Sequence, residues 1–209
     1  MRVIRSTLES IREFRRAYVV LNLVYYGLVV CAMGYVFFNP SLQQMLLQAV
    51  GTAFTEGPLS AVGGAYVGGQ VWLAMVLTFV VNLVMGSLAY ITLPSLVIPF
   101  SGVVLGGCRA ILWGLVLSPT ASTGMSLAMI PHSLTLILEG QAYILAMLAA
   151  YIHGRAFLWP HTVGEADHGR GYVIGLKRSL RLYWAVVILL AVAAIYEALE
   201  VILIMPLFR

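Results

Sequence analysis

Charge is what this sequence has least of. Asp, Glu, Lys and Arg make up 10% of its 209 residues, where soluble domains carry about 25%. Basic residues are absent from Asn39–Gly69 and from Ser118–Ala128. Cysteine is limited to Cys31 and Cys108, both inside apolar stretches. They read as two buried free thiols and carry no information on redox compartment. No glycine loop able to cradle phosphate is present, so any ATP the protein depends on is hydrolysed by another chain. No clustered basic and aromatic surface suits nucleic acid. No Ser, Cys or His stands in a pattern that suggests a nucleophile and its base, so the chain reads as a non-enzyme without a cofactor. His161 and His168 lie near Glu165 and Asp167, but without tight metal-ligand spacing; they read as solvated loop residues.

Apolar residues are abundant instead. They make up 61% of the chain, and the mean hydropathy is +0.96. A bilayer-spanning helix needs roughly 20 mostly apolar residues. Five stretches qualify: Ala17–Phe38, Gln70–Ile91, Phe100–Leu117, Met129–Ile152 and Tyr183–Met205. The first is too long for a cleaved signal peptide and predicts an uncleaved helix. Ten of the twelve basic residues fall before the first span or between the fourth and fifth. Positive charge stays in the cytoplasm. The expectation is a single membrane domain over residues 1–209 in the cell membrane, N-terminus cytoplasmic and C-terminus outside. The net charge of +4 follows from that bias.

The fold class expected is all-α: five transmembrane helices, an outer amphipathic helix and cytoplasmic amphipathic helices. Met1–Arg16 sets Ile4, Leu8 and Ile11 on one face, among arginines, as a basic helix on the inner leaflet. After Asn39-Pro40, Ser41 is placed to cap a helix over Ser41–Phe54. Its Leu42, Met45, Leu46, Ala49, Val50, Ala53 and Phe54 form a stripe, with Gln43, Gln44, Gln48 and Thr52 opposite. A glycine-rich lead, Gly63–Gly69, follows. In the cytoplasmic segment Gly154–Leu182, Gly164–Gly171 reads as a turn and Tyr172–Leu182 as a helix running into the last span.

Polar groups within the spans are the candidate site. Asn82, Arg109 and Glu139 all fall near the membrane midplane by residue count, where a lone charge costs about 2.5 kcal/mol or much more. Arg109 and Glu139 are therefore expected to pair, with Asn82 as a third member, either to fix helix order or to conduct or gate something. His132, Thr135, Glu139 and Tyr143 share one helix face that must point into protein. Ala146 and Ala150 extend it as a close-contact surface. Glu197 and Glu200 can reach its outer end near His132. A divalent cation there is one alternative and a hydrogen-bonded cluster the other; no metal site is assigned.

Asn82, the Pro94/Pro99/Gly102/Gly106/Gly107 stretch, Ile130-Pro131-His132-Ser133, and Ala193-Ala194-Ile195-Tyr196-Glu197-Ala198 together resemble the stage II sporulation protein M family of membrane proteins. The resemblance covers Val76–Met205. It implies five spans, a basic N-terminal helix, and the role of a scaffold or accessory subunit of a larger membrane complex. It also implies likeness to permease subunits that work with a separate ATPase. Two departures mark a divergent member: Ser133 stands where the family has glycine, and Leu136 where it has an acid, Glu139 following one turn later. The expected partners are membrane lipid, other membrane or envelope proteins and a second copy of the chain, and not nucleic acid.

Overall fold

A computed structural model describes residues 2–119 and 129–208. Among the described residues every regular element is helical. Helix α1 (Arg2–Glu13) is basic and amphipathic, and α2 (Arg15–Phe37) follows after a one-residue break at Phe14. Helices α3 (Pro40–Thr55) and α4 (Ser60–Val67) form a hairpin. Next comes a continuous 27-residue rod, Val71–Val97. It consists of α5 (Val71–Val80), a π-helical stretch (Val81–Thr92) and α6 (Leu93–Val97). Helix α7 (Ser101–Val116) precedes α8 (Met129–Leu158). Helix α9 (His168–Leu199) continues as a short π stretch, Glu200–Ile204.

Four rods are long and apolar enough to cross a membrane: Arg15–Phe37, Val71–Val97, Met129–Leu158 and His168–Ile204. Helix α7 is apolar but has only 16 residues, about 24 Å of rise. It nonetheless packs alongside α2. At its start, the Phe100 ring meets Tyr151 at 5.8 Å, and Tyr151 in turn meets Phe14 at the foot of α2. Just past its other end, the Ser118 hydroxyl donates to the Met33 carbonyl near the head of α2. Glycine sets how close the two helices come. A Cβ at Gly114 would run into Ala32 Cβ at 2.7 Å and into the Val29 carbonyl. The reversal into α7 turns on Phe100, whose φ of 66° is unusual for a residue with a side chain.

The most extensive contact joins α8 and α9, which run antiparallel. Ala142, Ala146, Ala149 and Ala150 are buried along α8, so the backbones approach closely. A Cβ on Gly175 of α9 would sit 3.0 Å from Ala156 Cβ. Asp167 caps α9, accepting from the Arg170 amide at 2.8 Å. The helix thus begins inside the segment read from sequence as a turn, and runs unbroken through Tyr172–Leu182 into the last span. Arg178 of α9 bonds Glu13 of α1 at 2.8 Å. This end of the molecule is called the α1 end below, and the opposite one the α3 end.

Three sequence expectations are corrected here. Ser41 is not a cap; Asn39 occupies that position without a side-chain capping bond, its amide donating instead to the Tyr35 carbonyl, and the helix starts at Pro40. Gln43, assigned to the polar face of α3, is the buried residue of that helix. Its amide donates to the Val116 and Ser118 carbonyls at 3.2 and 2.8 Å, pinning α3 on the end of α7. Cys31 and Cys108 are exposed, facing out of the bundle rather than into it. The glycine-rich lead also holds a helix, α4, whose Gly63 packs against the Phe54 backbone where no Cβ would fit.

Candidate functional site

The face of α8 predicted from periodicity gathers the polar groups. Beginning at the α3 end, His132 Nδ1 lies 3.2 Å from both carboxylate oxygens of Glu200. One turn further in, the Thr135 hydroxyl donates to Glu200 Oε2 at 2.9 Å. Glu200 is completely buried. It opens the second π stretch, and the Tyr196 hydroxyl one turn before it donates to the Pro131 carbonyl at 3.0 Å. These bonds lock the head of α9 to the head of α8.

Another turn inward, Glu139 accepts a hydrogen bond from the Asn82 side chain. Asn82 is the second residue of the longer π stretch. Such i→i+5 segments are rare and often coincide with functional positions. At the deepest point, Arg109 Nη2 donates to the Tyr143 hydroxyl at 2.6 Å. The guanidinium also lies over two aromatic rings, 4.1 Å from the Tyr143 centroid and 5.5 Å from that of Trp113. Gly86 makes room for this, because a Cβ there would lie 3.0 Å from the Tyr143 hydroxyl and 3.1 Å from Arg109 Nη2.

The expected ion pair is therefore not formed. His132–Glu200, Glu165–Arg170 and Glu13–Arg178 do pair. Arg109 and Glu139 face the same space but each bonds a neutral group. Equal depth brought them to one level; it did not make them touch. Tyr143, expected only as part of a polar stripe, is what holds Arg109.

That space is a chamber of about 360 Å³. Asn82, Arg109, His132, Thr135, Glu139 and Glu197 line it, while Tyr143 and Glu200 stand behind its wall. Val81, Met85, Trp113, Leu117 and Leu136 supply apolar walls. Phe54, Leu59, Val62 and Tyr66 from the α3–α4 hairpin roof it at the α3 end. Tyr66 is tied to Thr78 of α5 by a 3.0 Å hydroxyl–hydroxyl bond. Burial pushes the Tyr66 phenol up in pKa, and the neighbouring Glu197 carboxylate adds to the shift. Periodicity puts Phe54 on the apolar stripe of α3 but does not single out Leu59, Val62 or Tyr66, and nothing in it tells which helix these residues cover.

The chamber is not internally satisfied. Buried Arg109 Nε, Trp113 Nε1 and Glu197 Oε2 have no hydrogen-bond partner. A buried polar group without a partner typically costs about 1–3 kcal/mol, and a charged one more. Among the described residues no three of His, Cys, Asp and Glu are grouped so as to hold a metal ion. No family model, curated protein or solved structure matches this chain.

Proposed function

We propose that this chain is a non-enzymatic, multi-pass membrane subunit of the permease-like kind, passing or presenting a polar ligand through its chamber and driven by a separate ATPase. The observation that carries this reading is a chamber between apolar helices with unpaired cationic and carboxylate groups in its walls. A plain scaffold has no use for such groups, and a dry, fully paired core would be more stable. That same observation favours the permease-like side of the stage II sporulation protein M resemblance over its scaffold side. The path of α7 beside α2 supports five spans rather than four. The basic residues of α1 and of the first half of α9, Arg178 among them, support a cytoplasmic α1 end in the cell membrane. The α8–α9 turn is then the natural coupling surface for an ATPase.

Two measurements test this. With Cys31 and Cys108 replaced by alanine, Leu136→Cys should react with a water-soluble methanethiosulfonate in membranes, whereas Val104→Cys, facing outward, should not. A Leu136→Cys as inert as Val104→Cys overturns the open chamber. Purification in mild detergent should recover a nucleotide-hydrolysing chain in fixed ratio. Recovery of envelope proteins with no such chain would return the scaffold reading.

A further inference from the structure

The unpaired groups of the chamber are sorted by position. Thr135 bonds Glu200, and Glu197 lies one turn before Glu200 on the antiparallel α9. Arg109 is held by Tyr143, two turns beyond Thr135 on α8. At 1.5 Å per residue, Glu197 and Tyr143 are about 8 Å apart along the helix axes. Donors in want of an acceptor, on Arg109 and Trp113, are therefore at the deep end. The acceptor in want of a donor, on Glu197, is nearer the roof. Only one of the guanidinium's donors, Nη2, has an acceptor.

Charge narrows the occupant. A simple anion at Arg109 would have Glu139 and Glu197 facing it across the chamber. A simple cation at Glu197 would share the space with Arg109. We infer that the chamber takes a zwitterion, with a phosphate at Arg109 and an ammonium at Glu197. This rests on the chamber being a ligand site, as proposed above. An oxyanion suits a planar guanidinium already braced on two rings. An ammonium next to a carboxylate and the Tyr66 ring satisfies the opposite pole. Met85 and Tyr90 line the chamber yet are 63% and 40% exposed on the outer surface of the bundle. The apolar wall is thus continuous with the outside, so the same zwitterion can arrive free or as the headgroup of a lipid whose chains stay outside.

The test is thermal unfolding and equilibrium binding of the detergent-purified protein with four probes: phosphoethanolamine, ethyl phosphate, ethylammonium and inorganic phosphate. Phosphoethanolamine should bind at least about tenfold more tightly than each of the others, because each lacks one pole. Nanodiscs of phosphatidylethanolamine against phosphatidylglycerol distinguish the sources. Stabilisation by the ethanolamine lipid assigns a headgroup, and binding of phosphoethanolamine without it assigns a free solute. Glu197→Gln, which keeps shape, should erase the preference of phosphoethanolamine over ethyl phosphate while leaving ethyl phosphate binding within about twofold. Ethyl phosphate or inorganic phosphate binding as tightly as phosphoethanolamine would overturn the inference, as would ethylammonium alone doing so. Failure of both phosphoethanolamine and the ethanolamine lipid to bind would also overturn it. A Leu136→Cys that labels while no zwitterion binds would leave the chamber intact and remove only its occupant.

Discussion

Helix α8 carries two polar clusters at nearly the same height, and they are built on opposite principles. Toward α2, Gln141 receives the Tyr18 hydroxyl at 2.7 Å and donates to Asn22 Oδ1 at 2.7 Å and to the Tyr26 hydroxyl at 3.1 Å. The Asn22 amide donates to the Tyr18 carbonyl at 2.8 Å, and the Tyr26 hydroxyl to that of Ile137 at 3.2 Å. Every member is neutral and partnered. Two residues away, Glu139 looks into the chamber, where the groups are charged and several have nothing to bond. A closed neutral network glues two helices together. An open charged one weakens the same bundle, and is retained only if something else uses it.

The largest effect is expected where charge is buried and fully used. Glu200→Ala strips the acceptor from His132 and Thr135 at a completely buried position. It should lower stability by about 3–5 kcal/mol, read as the midpoint of unfolding in detergent. Next comes the closed cluster: Gln141→Leu leaves Tyr18, Asn22 and Tyr26 short of partners and should cost about 1–3 kcal/mol with ligand affinity unchanged. A change in affinity there would mean that the two clusters are coupled. Smaller still is the coupling energy within the chamber. A double-mutant cycle on Asn82→Leu and Glu139→Leu should give about 0.5–2 kcal/mol. The cycle on Arg109→Leu and Glu139→Leu should give less, since those side chains share no bond; a larger value for the second cycle would restore the ion pair. The smallest change is expected at Glu197→Leu. Removing an unpartnered carboxylate should leave stability within about 1 kcal/mol of wild type or raise it, while the preference of phosphoethanolamine over ethyl phosphate is lost. A loss comparable to that at Glu200 would class Glu197 with the structural groups.

What sequence made legible here was whatever depends on helical period and depth. The stripe His132, Thr135, Glu139 and Tyr143 shares a face because it steps by three and four. Glu200 reaches its head because the last two long helices are antiparallel. What stayed hidden depends on azimuth. Residue counting put Arg109 and Glu139 at one level but gave no rotation of α7 about its axis, so the guanidinium's aromatic seat on Tyr143 and Trp113 went unseen. The same ignorance of azimuth turned Cys31 and Cys108 inward. Gln43 was misplaced for a different reason: amphipathic counting sends amides to solvent, and only the open carbonyls after α7 explain a buried one. Helix α4 was missed because its glycines carry low helix propensity, which contact with Phe54 overrides.

The π stretch at Val81–Thr92 is twelve residues long, and its i→i+5 bonds wind it more widely than the α-helix on either side. Asn82 stands at its head, so the direction in which its amide enters the chamber wall depends on where the wide winding begins. The winding of one rod, and not the placement of a loop, thus decides which neutral group Glu139 meets.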